Sequence, residues 1–569
     1  MRKPFGPAAA LGLAWLACAP SFDTDYGLGN ETQSERCASD ALAIHDIQGS
    51  GAESLLSGRE VSVEGIVTLG LANPDARTGF FMQARSPDSD PRTSEGVFVA
   101  LPSGQTLPEP GRHVRLRGRV RERDGVTEVH AVELLDECGW GAIAPTPISL
   151  PAEASAESWE GMWVSARADW TLIDAGRLLR DQSVTVSDSG RLYAPGHELG
   201  EPTEAALTRR WILDPSSAAS LPESSPFEAG SGGNSGRLRL GARLSEVTGV
   251  VDLAGAAQRL WTTRALEWRA TPPPAPARER HTTLRVVGLN LDNYFARVGL
   301  LGARSEEELL RQRAKLVALL LAIDADLLAL TELGNQEQSL VHLLTGLNER
   351  LTPEERYTFS QTEPPASSSL RAGLLYRASR VRSYGEAWFD TSPAFRRPPL
   401  FQSFETDESR FTVAVVHFKS KRCDAEPEVI TSEGCGADTR HAEAVQLLEA
   451  ARAARGAGLP ESLLLMGDFN SDPLEAPIQE LERAGLSDLL DSLPDAERYS
   501  YVFEGRASLL DHAFATRALG PAVLSAAIWH VNADEPGFRS YALDNPPREY
   551  RADAFRASDH DPVSVDLQL

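Results

Sequence analysis

Between residues 38 and 148, apolar and polar positions alternate in five short runs: REVSVEGIV (59–67), GFFMQA (79–84), EGVFVAL (95–101), HVRLRGRVRE (113–122) and TEVHAVEL (127–134). Gly, Pro and Asp separate them. A period of two broken by turn residues predicts half-buried strands, and five at this spacing suit a small barrel. The block 149–270 is also β-rich. Its phrases GMWVSARADW (161–170) and RLSEVTGVVD (243–252) weakly echo REVSVEGIV and HVRLRGRV, so a second, diverged barrel is expected there. Within it, 224–236 reads as a flexible loop. TPPPAPARERH (271–281) is expected to be a proline-stiffened linker.

From 282 to 569 the pattern changes, and strand-length apolar runs alternate with helical periodicity. Ser305 followed by Glu308 reads as a capping box. Leu309, Leu310, Leu316, Val317, Leu320 and Leu321 behind it share one helical face, which is expected to be core. Residues 325–331 read as a buried strand delivering Glu332, 442–451 as an amphipathic helix and 462–466 as a further strand. The expected fold class is multidomain, with OB-like β-barrels in the amino-terminal half and an α/β domain after them.

A chain of 569 residues exceeds one core, and 42% hydrophobic with 24% charged residues marks it as globular. Its net charge of -25 argues against a tight nucleic-acid binder, which needs a clustered basic surface. An enzyme that must release its product is less constrained, and a divalent metal supplies positive charge locally.

Arg2, Lys3 and the apolar run 8–17 form an export signal too short to span a bilayer. Trp15-Leu16-Ala17-Cys18 resembles a bacterial lipoprotein signal. That makes 1–18 a signal peptide, Cys18 the lipid-attachment site, 19–37 a polar tether, and the product an outer-membrane or cell-surface lipoprotein. Cleavage at Ala17-Cys18-Ala19 with free secretion is the alternative. Of five cysteines, four then remain. Pairing Cys37 with Cys138 and Cys423 with Cys435 is economical in an exported chain, free buried thiols being the alternative.

The chemistry is concentrated in an ordered series of strings: GLNLDNY (288–294), LLALTELGN (327–335), VVHFKSK (415–421), LLLMGDFNSD (463–472), SLLDHAF (508–514) and SDHDPV (558–563). Each sets a carboxylate, amide or imidazole in or just after an apolar strand. Phosphodiester hydrolysis needs charge neutralised on a non-bridging oxygen, an activated water and a stabilised leaving oxygen. In this order the strings resemble the endonuclease/exonuclease/phosphatase superfamily, which includes DNase I-like nucleases, AP endonucleases, inositol polyphosphate phosphatases and neutral sphingomyelinases. The resemblance covers about 284–569. IHDIQG (44–49) and EGVFVAL (95–101) extend it to the amino-terminal part of secreted bacterial nucleases of that superfamily. It implies a DNase I-like α/β four-layer β-sandwich over 282–569, which gathers strand ends on one edge.

The resemblance also implies roles. Glu332 is the leading metal ligand, Asn290 the first active-site amide, Asp292 an accessory acidic position, and Asp559 reaches the metal side. Asp468 orients or deprotonates the attacking water, and Asn470 binds a phosphate oxygen. His560 is the catalytic histidine and Asp511 orients it, fixing the tautomer and raising its pKa. Whether His560 or Asp468 takes the proton is left open by the sequence. His417 is the second imidazole, protonating the leaving oxygen. Magnesium is the expected cofactor, with manganese or calcium as alternatives. Asp472 is expected to cap a turn and His512 to face away from the site. Lys419, Lys421 and Arg440, with Arg422 and His441 nearby, form a basic cluster expected to contact flanking phosphates, a solvated face being the competing reading.

The expected activity is metal-dependent endonucleolytic hydrolysis of DNA, with RNA as a further substrate. The alternatives are a phosphoesterase on lipid or inositol phosphates and a non-catalytic surface binding protein. No protein partner is expected, and membrane contact only through the lipid anchor. Phe80, Phe81 and Phe98 are either stacking rings for a single strand or barrel core.

Overall fold

The five alternating runs of the amino-terminal half form the strands Glu60–Ala72, Thr78–Gln83, Gly96–Ala100, Arg112–Arg123 and Val126–Trp140. They close into a barrel in the order first, second, third, fifth, fourth. The chain is described by a computed structural model over residues 41–569, except 73–76, 103, 152–155, 216–237, 256, 271, 279–282, 300, 364, 365, 367, 424–430, 457 and 545–549. The leader and tether with Cys18 and Cys37, and the loop 224–236, lie outside the described residues. In the barrel the third and fifth strands run parallel and the other pairs antiparallel.

Trp163–Asp174, Val184–Ser187, Arg210–Pro215, Arg243–Asp252 and Gln258–Thr262 repeat that cyclic order, again with the third and fifth strands parallel. Thr146–Ser149 adds a parallel strand beside the first. Trp170 and Trp211 meet edge to face in this second core, with centroids 6.0 Å apart. The two rings of strands meet through Leu69, Leu71, Phe81 and Phe98 against Val250, flanked by Trp163 and Trp261. Phe80 is 0% exposed, and Phe81 and Phe98 are 2% exposed. All three are core, so none offers a face to a base.

The carboxy-terminal half contains two six-stranded sheets. One runs in the order Tyr357–Phe359, Leu370–Arg377, Leu327–Gly334, Leu284–Tyr294, Val563–Leu567, Val523–Ile528. The other runs Arg382–Phe389, Leu400–Glu405, Arg410–His417, Leu463–Asp468, Asp511–Ala515, Ser487–Asp488. They face each other across Val286, Leu327, Ala329, Leu374, Val413, Val415, Leu464, Met466 and Val565. The outer face of the first sheet is covered by the helices Glu306–Ile323 and Glu337–Asn348, and that of the second by Ala437–Gly456 and Ala476–Arg483. Central strands buried on both faces read as continuous apolar runs, as LLAL and LLLM do.

Details of this half differ from expectation. Ser305 caps its helix by accepting from the Glu308 amide, but the Glu308 carboxylate accepts from the amides of Arg304 and Leu543 instead of returning to Ser305. Leu310 is 53% exposed, outside the buried stripe of Leu309, Leu316, Val317 and Leu320. The proline-rich segment is no free linker. Pro273 accepts from the Trp529 indole, Pro276 and Ala277 accept from Arg285, and Arg278 pairs with Asp324 and Asp326. Extended proline backbone carries unpaired carbonyls, and buried donors of the neighbouring domain take them up.

Cys423 and Cys435 form a disulfide with Cα atoms 5.0 Å apart. Cys138 is also disulfide-bonded. Among the described residues no helix is long and apolar enough to cross a membrane.

Candidate active site

The strands Leu284–Tyr294 and Leu327–Gly334 run parallel, as do Arg410–His417 and Leu463–Asp468. Val563–Leu567 and Asp511–Ala515 run antiparallel to their neighbours. The ends of the parallel strands and the beginnings of the antiparallel ones therefore share one edge. Asn290, Glu332, His417, Asp468, Asp511 and His560 all lie there. His417, Asp468 and Asp511 occupy one register row across three strands, so their side chains leave the sheet on the same face.

Local backbone fixes several of these groups. Glu332 adopts φ 58°, Asp292 φ 53° and Asn470 φ 49°. Non-glycine residues enter this left-handed region at a cost, and such outliers cluster where a side chain must be aimed. Gly467 before Asp468 has φ 138°, and a Cβ there would lie 2.1 Å from the Val416 carbonyl oxygen. Glycine lets the two central strands of the second sheet approach at the site.

Asp468 is the hub. Its Oδ1 accepts from the Asn470 amide at 2.8 Å, and its Oδ2 accepts from the Asn290 side chain at 3.1 Å. The same Oδ2 lies 3.5 Å from His417 Nε2 and 4.0 Å from His560 Nε2. Asp511, His560 and Asp468 present ligand atoms all within 4.8 Å of one another. His560 Nδ1 is 2.7 Å from Asp511 Oδ2, so Nδ1 carries the proton there and Nε2 faces the site. Ser500 holds Asp511 in turn, donating to its Oδ2 at 2.6 Å.

Three further carboxylates, Glu332, Asp292 and Asp559, act on one another electrostatically near this edge. Glu332 Oε2 accepts from the Asn293 amide at 2.8 Å, and Glu332 Oε1 lies 3.8 Å from His417 Nε2. Burial raises the Glu332 pKa, and Asp559 raises it further. Asp292 is pushed up to about 8 by burial, Asp559 and Glu332, with Arg556 and His560 opposing. Asn290 Oδ1 accepts from the Asp292 amide at 3.0 Å. Half-buried carboxylates close enough to act on one another, with an amide oxygen beside them, are hard oxygen donors of the kind a divalent cation such as magnesium takes.

Electrostatics separate the two imidazoles. Burial, the Arg397 guanidinium and the His560 charge hold His417 well below the usual histidine range, and it is neutral. Burial also opposes charge on His560, but Asp511, Asp468 and Asp559 outweigh it and hold its pKa well above the usual range. Asp468 is raised to about 7, by burial first and then by Asp511 and Glu332, against the opposing charge of His560.

The basic cluster is corrected by its surroundings. Lys421 Nζ lies 2.5 Å from both Asp472 Oδ2 and Glu475 Oε1. Lys419 is 4% exposed and donates to the carbonyls of Ser420 and Arg422. Arg440 is fully buried and donates to the carbonyls of Cys435 and Glu433. These cations pin the disulfide loop and the following turn through inward partners. Asp472 is likewise no simple turn cap, since its Oδ1 accepts from the Leu509 amide at 2.9 Å. His512 faces away from the site and pairs with Asp488 at 2.6 Å.

Sequence reasoning passed over four contributors. Ser558 donates to the Asn290 carbonyl, tying the last strand to the first. Ser500 steadies Asp511, and Asn532 donates to the His560 carbonyl at 2.6 Å. The Tyr501 ring lies 4.7 Å from the His560 ring. Ser558 sat inside a motif, whereas the other three carry no signal beyond being polar or aromatic near one.

Similar proteins were found in solved structures but not among curated sequences, none of which matches. Humanized zebrafish (D. rerio) TDP2 aligns with 51% of the chain and 100% of its own at 15% identity and TM-score 0.34. The human Nocturnin catalytic domain covers 51% of the chain and 95% of its own at 20% identity and TM-score 0.34. An endonuclease/exonuclease/phosphatase from Bacteroides vulgatus covers 51% and 99% at 17% identity and TM-score 0.34. Residues 293–560, which carry all of this edge except Asn290 and Asp292, match the Endonuclease/Exonuclease/phosphatase family.

Proposed function

We propose that the carboxy-terminal domain is a divalent-metal-dependent phosphodiesterase of DNase I-like four-layer architecture, with DNA as its leading substrate and RNA as a further one. One observation carries the reading: Asp468 clusters with His560 and its Asp511 partner, and Asn290, Asn470 and His417 converge on the same carboxylate. Asn290, Asp292, Glu332 and Asp559 would hold the metal, which when bound neutralises charge on the phosphate and lowers the pKa of coordinated water.

This chain's own groups supply the remainder. Asp468, with its pKa near neutrality, accepts the proton of the attacking water. His560 remains an imidazolium against Asp511, presents Nε2–H to a phosphate oxygen and gives a proton to the leaving oxygen. Two titratable groups with different pKa values divide the base and acid roles. Neutral His417 donates a hydrogen bond to a non-bridging oxygen instead of acting as the acid, and Asn470 adds a second polar contact. Dependence on magnesium, with manganese or calcium as substitutes, belongs to this proposal.

The amino-terminal strings shared with secreted nucleases favour nucleic acid, and the closed rings of strands are OB-like in their order. The disulfide at Cys423 and Cys435 is consistent with export, and the leader ending at Cys18 favours a surface lipoprotein. The test is a panel with purified full chain: supercoiled plasmid, single-stranded DNA and RNA with magnesium, against sphingomyelin and inositol phosphates. Nicking of plasmid that EDTA stops is expected. Release of phosphocholine or inorganic phosphate with intact plasmid would overturn the nucleic-acid assignment.

A further inference from the structure

Beside the catalytic imidazole stands a hairpin made of Tyr501–Phe503 and Arg506–Ser508. Tyr501 lies against His560 with ring centroids 4.7 Å apart. Two residues on, and so on the same face of the strand, the Phe503 ring is within 10° of parallel to Tyr501 with centroids 6.5 Å apart. Phe503 is 58% exposed. A single exposed phenylalanine needs no explanation. This one ends a series of rings that starts at the reacting centre and steps outward to solvent.

The hairpin is held rigidly, and by the other half of the chain. Arg506 and Ala507 pair in parallel with Leu192 and Tyr193 of the second ring domain. Arg506 donates to Thr203 Oγ at 2.9 Å, and the Tyr193 hydroxyl donates to the Ala496 carbonyl at 3.0 Å. The turn residue Gly505 has φ 76° and packs against Ile173. Fixed rings lose little conformational entropy when a ligand stacks on them.

Cations beside the rings are few: Arg556 reaches Tyr501 electrostatically, Arg506 is tied to Thr203, Lys419, Lys421 and Arg440 are turned inward, and the chain carries a net charge of -25. A polyanion held here draws its affinity from something other than phosphate neutralisation. Stacking on aromatic faces does this for nucleic acid, but only where bases are unpaired and their faces free. We propose that Tyr501 and Phe503 form a stacking platform for the unpaired nucleobases that flank the scissile phosphate, making single-stranded nucleic acid the preferred substrate. The inference rests on the phosphodiesterase reading and deepens it.

The experiment measures KM for two single-stranded oligodeoxynucleotides of equal length and charge, one bearing bases throughout and one with tetrahydrofuran residues flanking the cleaved bond. Wild-type protein is expected to favour the base-bearing strand by about 5-fold or more, the lower end of what one stacked base contributes. Phe503→Ala should bring that ratio close to unity, and Phe503→Trp should restore it. The exposed position keeps the melting temperature of both variants at the wild-type value. The salt dependence of KM should be shallow, because few phosphates are neutralised. A ratio unchanged in Phe503→Ala, or a wild-type preference for the matched duplex, would overturn the platform alone. Failure of the wild type to cleave any nucleic acid would overturn the parent reading with it.

Discussion

Asp511, at the start of a strand of one sheet, faces His560, in the turn that leads into a strand of the other, at 2.7 Å from carboxylate oxygen to Nδ1. Neither residue is exposed by more than 6%. The pair links the two sheets at the edge that also carries Asn290, Glu332, His417 and Asp468, and it keeps the imidazole charged in a place that burial alone would make neutral.

Asp511→Asn tests that relation. Loss of the carboxylate charge lowers the His560 pKa, so the imidazolium disappears at lower pH. The alkaline limb of the kcat profile should move toward acid, and kcat at neutral pH should fall by about 10²- to 10⁴-fold. A profile that keeps its alkaline limb would remove His560 from the acid role.

Glu332→Gln should have opposite effects with and without metal. In chelator the variant sheds one of several mutually repelling half-buried carboxylates, so its melting temperature should equal or exceed that of wild type. Saturating magnesium, at about 100 times its Kd, should stabilise wild type by about 2.7 kcal/mol and the variant hardly at all. Equal magnesium-induced shifts in differential scanning fluorimetry would show that Glu332 is not a ligand.

Lys421→Met separates a structural cation from a phosphate contact. Removing the ammonium strands Asp472 and Glu475 without their buried partner, which typically costs about 3–5 kcal/mol. The melt should fall accordingly, while KM measured well below it stays within about twofold of wild type. A large rise in KM with an unchanged melt would return Lys421 to the substrate.

Glu160 gives a pH signature far from the site. It is 5% exposed, accepts from Gln48 and the Thr127 amide, and burial pushes its pKa from 4.5 up to about 8. The folded state therefore prefers the protonated acid. Its stabilising contribution is complete below pH 4.5 and is lost as pH rises toward 8, because the unfolded chain ionises first. Glu160→Gln should match wild type near pH 4.5 and exceed it near pH 8.5 by something on the order of 4 kcal/mol. Parallel melting curves at both pH values would contradict this.

Much of the edge was legible because carboxylates and imidazoles that end apolar runs have few purely structural reasons to be there. Asn290, Glu332, His417, Asp468, Asp511 and His560 were named from the resemblance carried by their ordered strings, and the structure brings them to one edge. The basic cluster was misread for a related reason. A string such as KSKR gives charge but not direction, and only the fold shows Asp472, Glu475 and a row of carbonyls waiting inside. Ser500 and Asn532 were invisible because their work is done through hydrogen bonds that no spacing encodes. Leu310 followed helical periodicity and still ended in solvent, since a stripe is narrower than the set of leucines that fits its phase.

The pairing of Leu192 with Arg506 ties the carboxy-terminal half to residues that precede it by half the chain. Excising the amino-terminal half would strip a strand from the wall beside His560 and leave that hairpin edge bare. A trimmed version should be judged by whether the wall survives. The two halves of this molecule are better regarded as one body than as a domain carrying a detachable appendage.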